Sequence, residues 1–175
     1  MGGKPLDRQL VAWAKQHVEW TLADGSAAYP DGVLMLVVDE EGRAAMTVGP
    51  YEGLAKSRLS SLLGRVDLAA KEAARTCVAP ESLWLVRSGT LLWGIDQDLF
   101  PSGAATLVED LALTLGCRVE RASGLLDDVR SRRMNFDEAF LVSDELGVVL
   151  ASDAEGPEGR RFRASYQKLL ERAGR

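Results

Sequence analysis

The sequence predicts an α+β fold in which a mixed, mainly antiparallel sheet packs against helices. Two observations support this. Pairs of short apolar segments joined by turn residues occur three times, which is the pattern of β-hairpins. Segments with helical periodicity separate them, so the chain reads α-ββ-α-ββ-α-β-α-ββ-α. With 175 residues, of which 46% are hydrophobic, the chain is long enough to bury a core.

The N-terminal part predicts one helix and one hairpin. Residues 5–23 read as a helix, because Pro5 suits a first turn and apolar residues recur every three to four positions. Residues 33–49 contain two strands joined by a tight turn at residues 40–42. Residues 33–38 are apolar throughout, so we expect that strand to be covered on both faces.

The rest of the chain alternates hairpins and helices. We predict a helix from about residue 53 to 76 and a hairpin of strands 82–86 and 90–94. A helix after residue 102 that Gly116 ends, a strand at 117–120 and a helix over 125–133 capped by Ser123 follow. The last predicted elements are a hairpin over 137–151 and a closing helix over 156–174. We expect residues 1–52 and 53–175 to form one compact unit.

Composition bears on the function classes. The formal charge of −5 disfavours nucleic-acid binding, which needs clustered Lys and Arg. No apolar run approaches the roughly 20 residues of a membrane span, and the N-terminus has no signal-peptide pattern. Cys77 and Cys117 lie at neither metal-ligand nor redox-motif spacing, so we expect free, buried thiols in a reducing compartment. The expected location is the cytoplasm.

Few residues carry recognisable chemistry. The single histidine, His17, lies within the first helix without a second histidine or a cysteine pair, so no metal site is predicted. No P-loop or dinucleotide fingerprint occurs. The segment SGAATL places small residues before a helix. Its backbone N–H groups could hold a phosphate, or the segment could simply pack closely against a strand.

Four segments together resemble a known family. They are GLAKSRLSSLL (53–63), FPSGAATLVEDLALTLGCRVE (100–120), DEAFLVSDELGVVLA (137–151) and GPEGRRFRASYQKLL (156–170). In this order they resemble the fold-type IV pyridoxal-phosphate enzymes, namely the class IV aminotransferases and the aminodeoxychorismate lyases. The resemblance implies a reduced form of the D-amino-acid aminotransferase-like fold, pyridoxal phosphate as cofactor and a homodimer.

The resemblance also implies site residues. Lys56 falls close to the Schiff-base lysine, although a solvated lysine at a helix start is the alternative. Gly103, Ala104 and Ser143 correspond to the two loops that hold the cofactor phosphate through amides and a hydroxyl. Trp84 and Trp93 either line a cleft or belong to the core.

The sequence departs from the family where the cofactor is held. With residues 96–100 aligned to the Asn-Leu-Phe motif, Trp93 stands where the family has the glutamate that pairs with the pyridine nitrogen. Moving residues 96–100 to the phosphate loop instead removes the glutamate-bearing strand, so neither alignment supplies the acid. The phosphate-binding Arg corresponds to Ala105. Asp144 stands at the second phosphate turn and would repel a phosphate at about 4 Å by several kcal/mol.

Three hypotheses follow. The chain is a cofactor-free relative that binds a small molecule or a protein partner. Alternatively, it is a minimal pyridoxal-phosphate aminotransferase or lyase acting on a small amino acid or an amino-chorismate-like substrate. In the third, the resemblance is a coincidence of α/β patterning.

Overall fold

The computed structural model describes residues 8–23, 25, 28–29, 33–38, 43–50 and 54–173. The chain divides into two compact units between Ala55 and Lys56. The predicted division lies after residue 52, and the prediction that both parts form one compact unit stays a prediction.

The described residues of the first unit form one helix and one hairpin. Helix α1 spans Arg8–Ala23. Strand β1 (Val33–Val38) pairs antiparallel with β2 (Ala44–Gly49) along its whole length. The turn expected at residues 40–42 lies outside the described residues, as do the side chains of β1.

The second unit contains the remaining elements. In chain order they are α2 (Leu59–Thr76), β3 (Val78–Ala79), β4 (Glu81–Arg87), β5 (Thr90–Gly94), β6 (Phe100–Pro101), α3 (Gly103–Thr114), β7 (Arg118–Arg121), α4 (Leu125–Arg130), β8 (Glu138–Ser143), β9 (Gly147–Leu150) and α5 (Pro157–Ala173). None of the helices in the described part of the chain is long and apolar enough to cross a membrane.

A five-stranded sheet organises the second unit. Its order is β7-β5-β4-β8-β9, and only the β5–β7 pair is parallel. The prediction of an α+β fold with a mixed, mainly antiparallel sheet is therefore confirmed. The short strands β3 and β6 form a separate parallel pair that the sequence pattern did not predict.

The two faces of the sheet bury different side chains. Trp84, Trp93 and Phe140 are fully buried in a core that also contains residues of α3 and α5, and their rings stack with centroids 4.6 and 6.1 Å apart. Alternation along β4 directs Leu83 and Leu85 to the opposite face, against which α2 packs. The two tryptophans therefore belong to the core and do not line a cleft.

Helix α2 begins later than predicted. It starts at Leu59 and not near residue 53, because the backbone of Arg58 is extended, with φ −65° and ψ 151°. The Leu59 N–H donates to Asp153 Oδ1 at 2.7 Å, so a carboxylate far along the chain fixes this helix start. No residue within the segment itself signals that start.

Two smaller predictions are wrong. Ser123 does not cap α4, because Gly124 occupies the N-cap with φ +78° and no side-chain cap bond forms there. Cys77 is exposed at the C-cap of α2, and Cys117 is half-buried, so neither free thiol is fully buried. Gly116 follows the end of α3 with φ +71°, as a helix stop requires.

Candidate functional site

The structure brings together two loops that are forty residues apart. Gly103 and Ala104 begin α3, and Ser143 and Asp144 lead into the turn between β8 and β9. The Ala104 N–H donates to Asp144 Oδ1 at 2.7 Å. The Asp144 N–H donates in turn to the Pro80 carbonyl at 3.2 Å. Three of the four site residues expected from the resemblance thus lie at one place.

The N-terminus of α3 is supplied with acceptors from within the protein. Ser102 is buried at the N-cap, and its Oγ accepts from the Ala105 N–H at 3.2 Å. A Cβ placed on Gly103 would lie 3.8 Å from Asp144 Oδ1, so the carboxylate covers the first turn. A helix N-terminus attracts an anion through its free N–H groups and its dipole. Here the side chain of Asp144 is that anion.

The Ser143 hydroxyl is also fully engaged. It donates to Glu81 Oε1 at 2.7 Å and accepts from the N–H groups of Glu145 and Leu146 at 3.2 and 3.1 Å. A hydroxyl has one donor and two acceptor positions. This side chain is buried, and it has no hydrogen-bonding capacity left for a phosphate oxygen.

An arginine connects this turn to α2. Arg65 Nε donates to both carboxylate oxygens of Glu81, at 3.0 and 2.9 Å, and Arg65 Nη2 reaches Glu145 Oε2 at 2.8 Å. The hydrogen bond to Glu81 raises the pKa of Arg65 above its usual value. The network holds α2, the start of β4 and the β8–β9 turn together. Sequence reasoning missed it, because Arg65 and Glu145 are eighty residues apart.

Lys56 lies away from these loops. Its side chain is exposed, and the carbonyl of the next residue, Ser57, accepts from the Ser152 N–H at 2.9 Å. Ser152 follows β9, whereas Asp144 belongs to the turn that precedes β9. The backbone beside Lys56 is therefore fixed at the opposite end of the β8–β9 hairpin from Asp144.

In the alignment that places residues 96–100 on the Asn-Leu-Phe motif, the position of the ring-binding acid holds a buried tryptophan. Trp93 Nε1 donates to Ser82 Oγ at 2.9 Å, and Trp84 Nε1 donates to the same oxygen at 3.1 Å. The guanidinium of Arg121 lies 4.6 Å from the centroid of the Trp93 ring. Position 93 itself thus supplies an indole, with a guanidinium over its ring, where a protonated pyridine nitrogen would need a carboxylate.

These contacts decide whether pyridoxal phosphate fits the residues present. The amide that would receive its phosphate is bonded to the Asp144 carboxylate, which would repel a dianion. The Ser143 hydroxyl is bonded within the protein, and neither alignment of residues 96–100 supplies the ring-binding acid. The residues at this place do not fit the cofactor in the manner of the family that the sequence resembles.

A buried tyrosine lies beside the same turn. Tyr166 of α5 is 7% exposed, and a Cβ on Gly147 would come within 3.0 Å of its ring. Burial raises the pKa of Tyr166, and the charge of Asp144 raises it further. The negative charge of Asp144 therefore acts on the buried Tyr166 hydroxyl as well as on the N-terminus of α3.

Carboxylates at the β8–β9 hairpin occupy three helix N-termini. Asp144 serves α3, and Asp153 serves α2 through the Leu59 N–H, a bond that lowers the pKa of Asp153. Buried Glu138 accepts from the Glu158 and Gly159 N–H groups of α5 at 3.1 and 2.8 Å. The sequence alone did not reveal Glu138 and Asp153, since each acid is far along the chain from the helix that it caps.

No metal centre emerges in the part of the chain that the structure describes, where no three His, Cys, Asp or Glu side chains form a group able to hold an ion. His17 Nδ1 hydrogen-bonds the Trp13 carbonyl at 2.9 Å within α1.

No protein-family model and no curated protein matches the sequence. Solved structures do. A protein from Thermotoga maritima classed as a branched-chain amino acid aminotransferase aligns with a TM-score of 0.50 at 18% identity, covering 74% of this chain and 62% of its own. A protein from Legionella pneumophila classed as a 4-amino-4-deoxychorismate lyase aligns at 0.46 and 9% identity, covering 71% and 60%.

A third solved structure contains a form of the cofactor. The T.th. branched-chain amino acid aminotransferase, solved with pyridoxamine 5'-phosphate, aligns at 0.42 and 19% identity, covering 61% of this chain and 42% of its own. The present chain thus spans less than two thirds of the length of each of these proteins. At such low identity the likeness concerns the fold. Over the aligned part, this chain has the fold of the class IV aminotransferases.

Proposed function

We propose that this chain is a non-catalytic binding protein built on the class IV aminotransferase fold. One observation carries the proposal, the 2.7 Å hydrogen bond from the Ala104 N–H to Asp144 Oδ1. An internal carboxylate has taken the place at α3 that a cofactor phosphate would need. The protein therefore keeps the anion that stabilises the helix start without depending on a cofactor.

The remaining contacts of the site support the same proposal. A Schiff-base lysine must reach the cofactor that the phosphate loops hold, and Lys56 lies toward the other end of the hairpin. The buried Trp93 cannot keep a pyridine nitrogen protonated, which is the property that makes the ring an electron sink. Transamination and elimination on that cofactor need both a Schiff-base lysine within reach and an acid at the pyridine nitrogen, and these residues provide neither.

The proposed ligand is a small molecule held by the second unit, and a protein partner is the alternative. A cavity of about 320 Å³ in that unit favours the small molecule, because ligand sites are concave and largely pre-formed. We propose further that the protein is a homodimer, on the resemblance alone, and that it is cytoplasmic, on the cysteine spacing and the N-terminal sequence. Sedimentation or light scattering would test that oligomeric state.

Incubation with pyridoxal phosphate tests the loss of the cofactor. Purified protein is mixed with millimolar pyridoxal phosphate, the imine absorption band is recorded, and borohydride followed by peptide mass spectrometry locates any attached ring. We expect no saturable band and no selective labelling of Lys56. A band that saturates in the wild type and disappears in Lys56→Ala would overturn the proposal and establish an enzymatic function.

A further inference from the structure

A cleft between α2 and α4 lies apart from the Ala104–Asp144 contact. Its volume is about 320 Å³, near the lower limit for small-ligand sites. Val66, Ala70 and Ala73 form its α2 wall, Leu125 and Leu126 form its α4 wall, and Leu99 closes one side. We call it the α2–α4 cleft. Its walls are apolar, and the alanines of α2 leave its space open.

The charges that line the α2–α4 cleft are unequal. Four acidic residues, Asp67, Glu81, Asp96 and Asp127, and one basic residue, Arg130, are among the described residues that line it. The guanidinium of Arg130 is shared, because it pairs with Asp67 and also lies 3.6 Å from Asp127. An incoming anion would have to compete with both for the same cation.

The carboxylates of Glu81 and Asp96 do not remove the excess of negative charge at the cleft. Glu81 is 9% exposed and is held by Arg65, which it shares with Glu145. Asp96 is exposed at the end of β5, and among the described residues no side chain or amide pairs with its carboxylate. The α2–α4 cleft therefore combines an apolar interior with uncompensated negative charge, including one carboxylate that none of the described residues engages.

From this combination we infer that the α2–α4 cleft is a binding site for a small organic cation, an amine with a short apolar body. The body packs between the Ala70 and Leu125 walls, and the ammonium lies beside Asp96. This inference takes up the small-molecule ligand of the proposed function. It does not depend on the fate of the cofactor, since the cleft touches the loops at Ala104 and Asp144 through the Glu81–Ser143 hydrogen bond and contains no residue of either loop.

The test compares three probes of similar size and different charge. Butylamine, butanol and butyrate are titrated into the full chain, and the backbone amide resonances of Ala70, Ile95 and Leu125 are followed by NMR. We expect saturable shifts with butylamine, weaker shifts with butanol and none with butyrate. The butylamine affinity should fall as salt rises, because the exposed carboxylate is screened.

Two matched pairs of variants locate the site. Ala70→Leu fills the cleft and should abolish butylamine binding, whereas Ala74→Leu, on the same helix and exposed but outside the cleft, should leave it unchanged. Asp96→Asn should weaken binding roughly two- to fivefold, as expected for one exposed charge pair, whereas Asp98→Asn should not.

Three results would overturn the inference. They are the absence of shifts with all three probes at millimolar concentration, equal or better binding of butanol or butyrate, and equal binding to Ala70→Leu and Ala74→Leu. A positive pyridoxal-phosphate result would leave this inference standing while removing the proposed function, so the two fail separately.

Discussion

Replacing Asp144 by alanine removes the acceptor that the structure places on the second N–H group of α3. In the wild type, Asp144 Oδ1 accepts from Ala104 at 2.7 Å, while Ser102 Oγ accepts from Ala105. Asp144→Ala leaves the Ala104 N–H without its protein partner, and Ser102 cannot satisfy both amides. We expect α3 to become the weaker part of the second unit.

The magnitude follows from the two components of this contact. Loss of an N-cap acceptor costs about 0.5–2 kcal/mol. A negative charge at a helix N-terminus stabilises the helix by about 0.3–1 kcal/mol through its interaction with the helix dipole. Asp144→Ala should therefore lower the free energy of unfolding by about 1 kcal/mol. Asp144→Asn keeps an acceptor oxygen and loses only the charge, so it should cost about half as much.

Urea unfolding followed by tryptophan fluorescence measures this difference. Trp84 and Trp93 are fully buried and report on the second unit. In thermal unfolding, a loss of 1 kcal/mol in the free energy of unfolding lowers the melting temperature by roughly 2–4 °C for a protein of this size. Asp98→Ala is the matched control, since the Asp98 side chain is exposed and forms no hydrogen bond or ion pair with the described residues. Equal stability of Asp144→Ala and Asp98→Ala would show that the hydrogen bond from Ala104 to Asp144 does not stabilise α3.

Three further substitutions test the contacts around this site. Gly156→Ala should lower the free energy of unfolding in urea by at least about 2 kcal/mol, because its Cβ would overlap Cδ of buried Glu138 and displace a charged acceptor. An unfolding midpoint equal to that of the wild type would contradict the close approach of Gly156 to Glu138. Arg65→Ala should cost about 3–5 kcal/mol, because the carboxylate of buried Glu81 loses its cation. Adding Glu81→Gln should restore part of the loss, and no recovery in the double variant would count against the pair. The pKa of Asp153 in the folded protein lies below its ordinary 3.8, so the stability that Asp153 contributes is present above about pH 4 and is lost as the pH falls further. Between about pH 5 and pH 3, the free energy of unfolding should therefore fall less for Asp153→Asn than for the wild type. Equal falls would contradict this prediction.

Most of the fold can be predicted from the sequence because its signals are local. Periodicity and turn residues indicate a helix or a strand within a few residues, and the sheet of the second unit has the mixed, mainly antiparallel pairing that they predict. The predicted start of α2 is wrong because its determinant, Asp153, is 94 residues away from Leu59. A contact of that kind leaves no trace in the local pattern.

The candidate site divides in the same way. Spacing and resemblance single out Gly103, Ala104 and Ser143, which the structure brings to one place. In the sequence, Asp144 stands out only as a charge that would repel a phosphate. That Asp144 itself bonds to the α3 amide depends on the relative position of two loops, which no local pattern encodes. Whether Lys56 and these residues serve any cofactor stays a prediction.

The amide resonance of Ala104 reports whether the Asp144 carboxylate occupies the anion position at α3. Inorganic phosphate is titrated into the wild type and into Asp144→Ala while this resonance is followed by NMR. We expect phosphate to leave the Ala104 amide of the wild type unchanged and to shift that of Asp144→Ala in a saturable way. A saturable shift in the wild type would mean that the α3 amide is open to phosphate while Asp144 is present, so Asp144 would not occupy the anion position.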